Sequence, residues 1–169
     1  MESIGPAACD NGRMEDGKDH DEMLESLVRE QMLLTRFALQ GVAPKDREVP
    51  LDRSAVILLS RLRAQGPMTV AELADAFDMD VSTIHRQTTA AMKSELLERI
   101  PDPDGGVARK LRPTDEGIRR LDAELVARKE GFDRILADWS PDEIASFVHS
   151  LRRYNQAVEA RRGKSWPRD

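Results

Sequence analysis

Thr69-Val70-Ala71-Glu72-Leu73-Ala74-Asp75-Ala76-Phe77-Asp78-Met79-Asp80-Val81-Ser82-Thr83-Ile84-His85-Arg86-Gln87 is the stretch whose reading decides the fold. Its first four residues make a capping box, in which the Thr69 hydroxyl accepts a free amide at a helix start and the Glu72 carboxylate reaches back. Val70, Leu73, Ala74 and Phe77 recur at helical spacing and form one apolar face of a short helix. Asp78-Met79-Asp80 is a tight polar break. A longer helix follows from about Val81 to Ser94, with Val81, Ile84, Ala91 and Met92 predicted to face inward.

Working outward, Leu96 to Ile100 reads as a short strand, and Val107 to Arg112 as a second. Between them Pro101-Asp102-Pro103-Asp104-Gly105-Gly106 is dense in turn formers, so the pair is a hairpin. On the N-terminal side Leu51 to Ala64 is a helix, with Asp52 or Ser54 as its cap and Gln65-Gly66-Pro67 as its stop. Helix, short helix, turn, helix, hairpin is the order of a winged helix-turn-helix. In that arrangement the second helix of the pair can lie in a DNA major groove while the first crosses above it.

Longer helices flank this unit. Leu24, Leu27, Val28, Leu34, Thr35 and Ala38 mark a first helix from Asp21 to near Gly41, and Val42 to Pro50 reads as a loop. Thr114 caps a long helix with Ile118, Leu121, Leu125, Phe132, Ile135, Leu136 and Trp139 on its apolar side. Ser140-Pro141-Asp142-Glu143 starts a final helix, carried by Ile144, Phe147, Val148, Leu151, Tyr154 and Val158 to about Ala160. These stripes exceed what one small winged unit needs to cover, and dimerisation is their natural use. The predicted class is mainly α with a small β-hairpin wing: a winged helix-turn-helix with N- and C-terminal dimerisation helices. The segments are a disordered tail (1–20), an N-terminal dimerisation helix and loop (21–50), the DNA-binding unit (51–113), C-terminal dimerisation helices (114–162) and a tail (163–169).

The candidate contact residues are those facing away from the inner side of the second helix: Ser82, Thr83, His85, Arg86, Gln87, Thr89 and Lys93. Arginine suits guanine, glutamine suits adenine, and hydroxyls suit either a base or a phosphate. The helix start also offers free amides to a phosphate. No acidic residue falls between Val81 and Ser94. The formal net charge of −5 does not contradict this, because residues 1–50 hold 11 acidic against 6 basic side chains and the remaining 119 hold 20 of each. A polar outer face is also what any surface helix shows, so the rival reading is a winged helix used for protein–protein contact.

Asp80 to Gln87, then Leu96-Leu97-Glu98-Arg99, Asp102-Pro103-Asp104-Gly105 and Arg112-Pro113-Thr114-Asp115-Glu116-Gly117, resemble the recognition helix, wing and exit of MarR-family regulators. The resemblance is densest from Thr69 to Gly117. It implies a homodimeric transcriptional regulator, usually a repressor, that binds a pseudo-palindromic operator in double-stranded DNA. It also implies release by a small aromatic or phenolic effector held between the dimerisation helices and the winged unit. Family wings often carry an arginine at the tip; here the tip is Asp104-Gly105-Gly106-Val107, and Arg109 and Lys110 on the returning strand stand in as phosphate contacts.

Other chemistry is sparse. The single cysteine, Cys9, allows no internal disulfide and suits a reducing cytoplasm; beside Asp10 it lacks the positive surroundings of a sensor thiol. His20, His85 and His149 lack metal-ligand spacing. No phosphate-binding glycine loop, nucleophile elbow or carboxylate pair marks an enzyme, and no cofactor is expected. Residues 1–22 have neither a basic head nor an apolar run, and no stretch is apolar enough to span a membrane, so a cytoplasmic location is predicted. The basic run Arg152, Arg153, Arg161, Arg162, Lys164 and Arg168 reads as opposing the dipole of the last helix, with DNA or anionic lipid as the alternative use.

Overall fold

Four helix starts are fixed by a side chain on the residue before them. The computed structural model describes the backbone of residues 11–40, 50–103 and 105–168, with side chains from residue 19 to 36 in the first of these spans. Asp52 caps α2 (Arg53–Gln65): its carboxylate accepts the Ala55 amide at 2.9 Å and the Ser54 hydroxyl at 2.6 Å. The Ser54 hydrogen bond holds the Asp52 carboxyl below the usual carboxylate range. The capping box expected at Thr69 opens α3 (Val70–Phe77). The Glu72 amide donates to Thr69 Oγ1 at 3.1 Å and the Thr69 amide donates to Glu72 Oε2 at 2.6 Å. Thr114 starts α5 (Asp115–Ile135), and a second capping box between Ser140 and Glu143 starts α6 (Pro141–Arg162).

The chain divides into two units, residues 1–42 and 43–169. The first contains α1 (Asn11–Gln40), which begins ten residues before the expected start. Apolar periodicity marks only where a helix has something to bury, so a polar first half with no proline is invisible to it. Met23, Leu24, Leu27, Val28 and Leu34 are all exposed on α1.

In the second unit, α3 is followed by a turn at Asp78, whose backbone is left-handed (φ 54°), and then by α4 (Val81–Lys93). β1 (Leu97–Ile100) and β2 (Lys110–Pro113) pair antiparallel, with Leu97 opposite Pro113 and Ile100 opposite Lys110. Met68 adds a further bridge: its amide donates to the Leu111 carbonyl at 3.1 Å, and its carbonyl accepts the Leu111 amide at 2.7 Å. The base of the wing is thereby tied to the residue before the cap of α3. The core lies where these elements converge, with Leu58, Leu59 and Leu62 of α2, Leu73 of α3, Ile84 of α4, Leu111 of β2 and Leu121 of α5 fully buried.

Four sequence expectations need correction. Val81 is 55% exposed rather than inward, and Thr88 is fully buried in its place. Thr88 lies one turn beyond Ile84, and its hydroxyl donates to the His85 carbonyl of its own helix at 3.1 Å, so its burial leaves no polar group unpaired. β2 begins at Lys110 and not Val107, because its partner strand ends at Ile100, before Pro101, whose backbone cannot donate. Helix α5 stops at Ile135, short of Leu136 and Trp139, which the sequence pattern includes in its apolar side. Residues 163–168, read from the sequence only as part of a tail, fold back onto α2 and α3. Cys9, and the loop predicted from Val42 apart from Pro50, lie outside the described residues. Among the described residues no helix is long and apolar enough to cross a membrane.

Candidate nucleic-acid interface

Helix α4 is pinned from within by Ile84, Thr88 and Ala91, spaced at i, i+4 and i+7 on one stripe. Helical geometry then puts Ser82, Arg86, Thr89 and Lys93 on the opposite stripe, and all four are exposed. Exposed His85 lies on one flank, while Thr83 and Gln87 lie on the other and are half-buried. The seven predicted residues are therefore unequal. Four point directly away from the core, and Gln87 is turned furthest back towards it.

The start of α4 is left open. Asp80 makes no side-chain capping hydrogen bond, and its carbonyl accepts from Thr83 and Ile84 at 3.0 and 3.2 Å. The first amides of the helix are thus not taken by its carboxylate, the arrangement that lets a helix start receive a phosphate. Two carboxylates nearby, Asp75 and Asp78, are paired with cations from the C-terminal end: Lys164 Nζ lies 2.5 Å from Asp75 Oδ1, and Arg162 Nη1 lies 3.8 Å from Asp78 Oδ2.

The wing is closed by an ion pair that the sequence reading missed. Lys110 Nζ sits 2.8 Å from Asp102 Oδ1, both largely buried, so this lysine braces the hairpin. Gly106 is packed against the same carboxylate: a Cβ there would meet Asp102 Oδ2 at 2.2 Å. Arg109 remains exposed, with Nη2 donating to the Arg99 carbonyl at 3.5 Å. The exposed Arg99 beside it is a second wing cation, and its place in the Leu-Glu-Arg motif was the available signal. At the tip Val107 is wholly exposed.

Residues 51–105 match the family model described as MarR. An HTH-type transcriptional regulator of Bacillus subtilis, the uncharacterized YxaD, is 37% identical over 127 residues, covering 73% of this chain and 89% of that one. The chain belongs to the MarR family. Solved MarR-like structures share its fold. A MarR family protein from Bacillus stearothermophilus has a TM-score of 0.61 at 21% identity, covering 89% of this chain and 99% of its own. RV1404 from Mycobacterium tuberculosis has a TM-score of 0.65 at 22% identity, covering 82% and 92%. The PcaV regulator of Streptomyces coelicolor, solved with its natural ligand, has a TM-score of 0.54 at 23% identity, covering 91% and 100%. As a MarR-family member the protein is a DNA-binding transcriptional regulator and not an enzyme, and the reading as a protein-contact module is not favoured.

Proposed function

We propose that this MarR-family protein acts in the cytoplasm as a homodimeric repressor whose two α4 helices read the half-sites of a pseudo-palindromic operator. One observation carries the reading: the stripe Ser82, Arg86, Thr89 and Lys93 is exposed, free of carboxylates and held rigid by a fully buried stripe opposite. His85, Thr83 and Gln87 flank it, and Arg109 reaches for phosphates from the wing with Arg99 at its side. Lys110 stays at Asp102 and supports the hairpin. Exposed apolar side chains on α1, α5 and α6 supply the dimer contact. Two subunits related by a two-fold axis would place their reading helices about 34 Å apart, one turn of the duplex.

The effector would be a small aromatic or phenolic molecule, and no cofactor is required. A cleft of about 1030 Å³ between α2, α6 and the C-terminal residues, lined by Arg63, Arg152, Asn155 and Trp166 among others, combines cations, amides and an aromatic ring suited to such a ligand. PcaV was solved with a natural ligand, which supports ligand control by analogy.

The test is Arg86→Ala in the full chain, measured by gel shift on duplexes selected from a random library by the parent protein. If Arg86 makes a bidentate base contact, its loss costs about 1–3 kcal/mol and relaxes preference at one position per half-site. Unchanged affinity and preference would remove Arg86 from the readout.

A further inference from the structure

None of the 22 residues of α6 is buried, yet the six described residues after it are anchored at three places. Gly163 ends the helix in the left-handed conformation (φ 64°). Its amide donates to the Ala160 carbonyl at 3.4 Å and the Lys164 amide to the Glu159 carbonyl at 3.2 Å, which reverses the chain. The reversed segment meets α3 first. The Trp166 ring stacks on Phe77 at 6.1 Å with 24° between planes, and Lys164 pairs with Asp75 at 2.5 Å. It meets α2 through Arg61, a buried arginine whose Nε donates to Gln65 Oε1 at 2.8 Å and whose Nη1 donates to the Ser165 carbonyl at 3.0 Å. The same guanidinium lies 5.4 Å from the Trp166 ring. Finally it is tied to its own helix, since Glu159 accepts both the Trp166 amide, at 3.3 Å, and the Arg168 guanidinium.

These contacts join the end of α6 to α3, the helix that sets the angle of α4. Phe77 also packs against the hydrophobic core, so Trp166 bears on a side chain whose other edge is fixed. We infer that residues 164–168 are a positioning strap: through Trp166 and Lys164 they lock the pitch of the reading unit to α6, and thereby set which half-site spacing the dimer accepts. The inference rests on the dimeric, DNA-reading function proposed above. Energetically the strap joins one aromatic stack and one cation–π contact to two ion pairs, Lys164 with Asp75 and Arg168 with Glu159, enough to hold a hinge though not to fold a domain. Its consequence is geometric. One added base pair turns a half-site by about 34° and moves it by about 3.4 Å, which a locked head cannot follow and a released head can.

The experiment uses the whole 169-residue chain. Duplexes are selected from a random library, and the best site is rebuilt with its spacer lengthened or shortened by one and two base pairs. The parent protein should lose about tenfold or more in affinity for a two-base-pair change, close to the effect of a base mismatch. Trp166→Ala should bind the original site about fivefold more weakly through the added ordering cost, yet lose less than about threefold on changing the spacer. Trp166→Phe, which keeps the stack on Phe77, should behave like the parent. An equal spacer penalty in Trp166→Ala and the parent overturns the strap. If Trp166→Ala does not fold, Trp166→Leu decides in the same way, because it keeps apolar bulk beside Phe77 while removing the ring stack and the cation–π contact. A parent protein that tolerates every spacer also overturns it, whereas a parent that selects no duplex overturns the functional reading beneath it.

Discussion

At Gly117 the first turn of α5 passes so close to the wing that a Cβ would lie 2.2 Å from the Leu96 carbonyl oxygen and 3.2 Å from Leu59 Cδ2. Two neighbours explain why the contact cannot open. The Thr114 hydroxyl donates to the Glu95 carbonyl at 2.6 Å while accepting the Gly117 amide at 2.9 Å, and the Thr114 amide donates to the Leu96 carbonyl at 3.1 Å. Glu95 itself is held at φ 58°, a left-handed conformation that costs a side-chain-bearing residue about 1–2 kcal/mol. A methyl at position 117 therefore meets backbone that three hydrogen bonds fix in place. Gly117→Ala should lower stability by about 3 kcal/mol, read by urea denaturation, with the slope against urea unchanged. A loss below about 0.5 kcal/mol would mean that the joint slides, and that the wing is not registered against α5 through this contact. In the sequence this glycine was visible only as the last letter of a Thr-x-x-Gly motif; the reason for it is a contact across some twenty residues.

The elements themselves were legible to the extent that their causes are local. Capping boxes at Thr69 and Ser140 act within four residues, and both are formed as predicted. The inner face of α4 was half legible. Val81 fits the apolar pattern, but it opens the helix one turn before Ile84 and stands beyond the core; Thr88 fits no apolar pattern, yet its hydroxyl is satisfied within the helix. The strap was illegible, because Trp166 meets Phe77 across 89 residues and nothing near either one announces the other. Its chemistry nevertheless gives a signed pH response. The Glu159 carboxyl is held below its ordinary value of 4.5, first by the hydrogen bond from Arg168, then by the Trp166 amide and the charges of Arg168 and Arg61. A depressed carboxylate contributes stability that is complete above its unfolded value and lost as pH falls through the folded one. Comparing melting temperatures of the parent and Glu159→Gln from pH 7 to pH 3 should therefore show the variant less stable at neutrality, with the gap closing below about pH 4.5. A gap that stays constant with pH would remove the Glu159 charge from the strap.

For the whole molecule the decisive quantity is apolar surface without a cover. Phe132 and Ile135 in the last turn of α5, Trp139 in the turn that follows it, and Phe147, Val148, Leu151 and Tyr154 on α6 are all exposed, and Trp139 meets Phe147 edge-on at 5.8 Å. Monomeric proteins seldom leave so many large apolar groups in water, and a second copy of the chain buries them with no further invention. Ile135, 63% exposed in the single chain, separates dimerisation from folding. Ile135→Glu should leave the winged unit intact by circular dichroism while placing a charge in the contact between copies. Sedimentation at micromolar concentration should then find the parent at twice its chain mass of 19.0 kDa and the variant at that mass. DNA binding should follow, since two linked half-site contacts gain from effective concentration and one does not: affinity for the full site should fall by about 100-fold or more, with the non-specific background retained. A parent protein that sediments as a monomer, or a monomeric variant that holds the full site as tightly as before, would mean that each α4 reads DNA alone and that these helices serve some other contact.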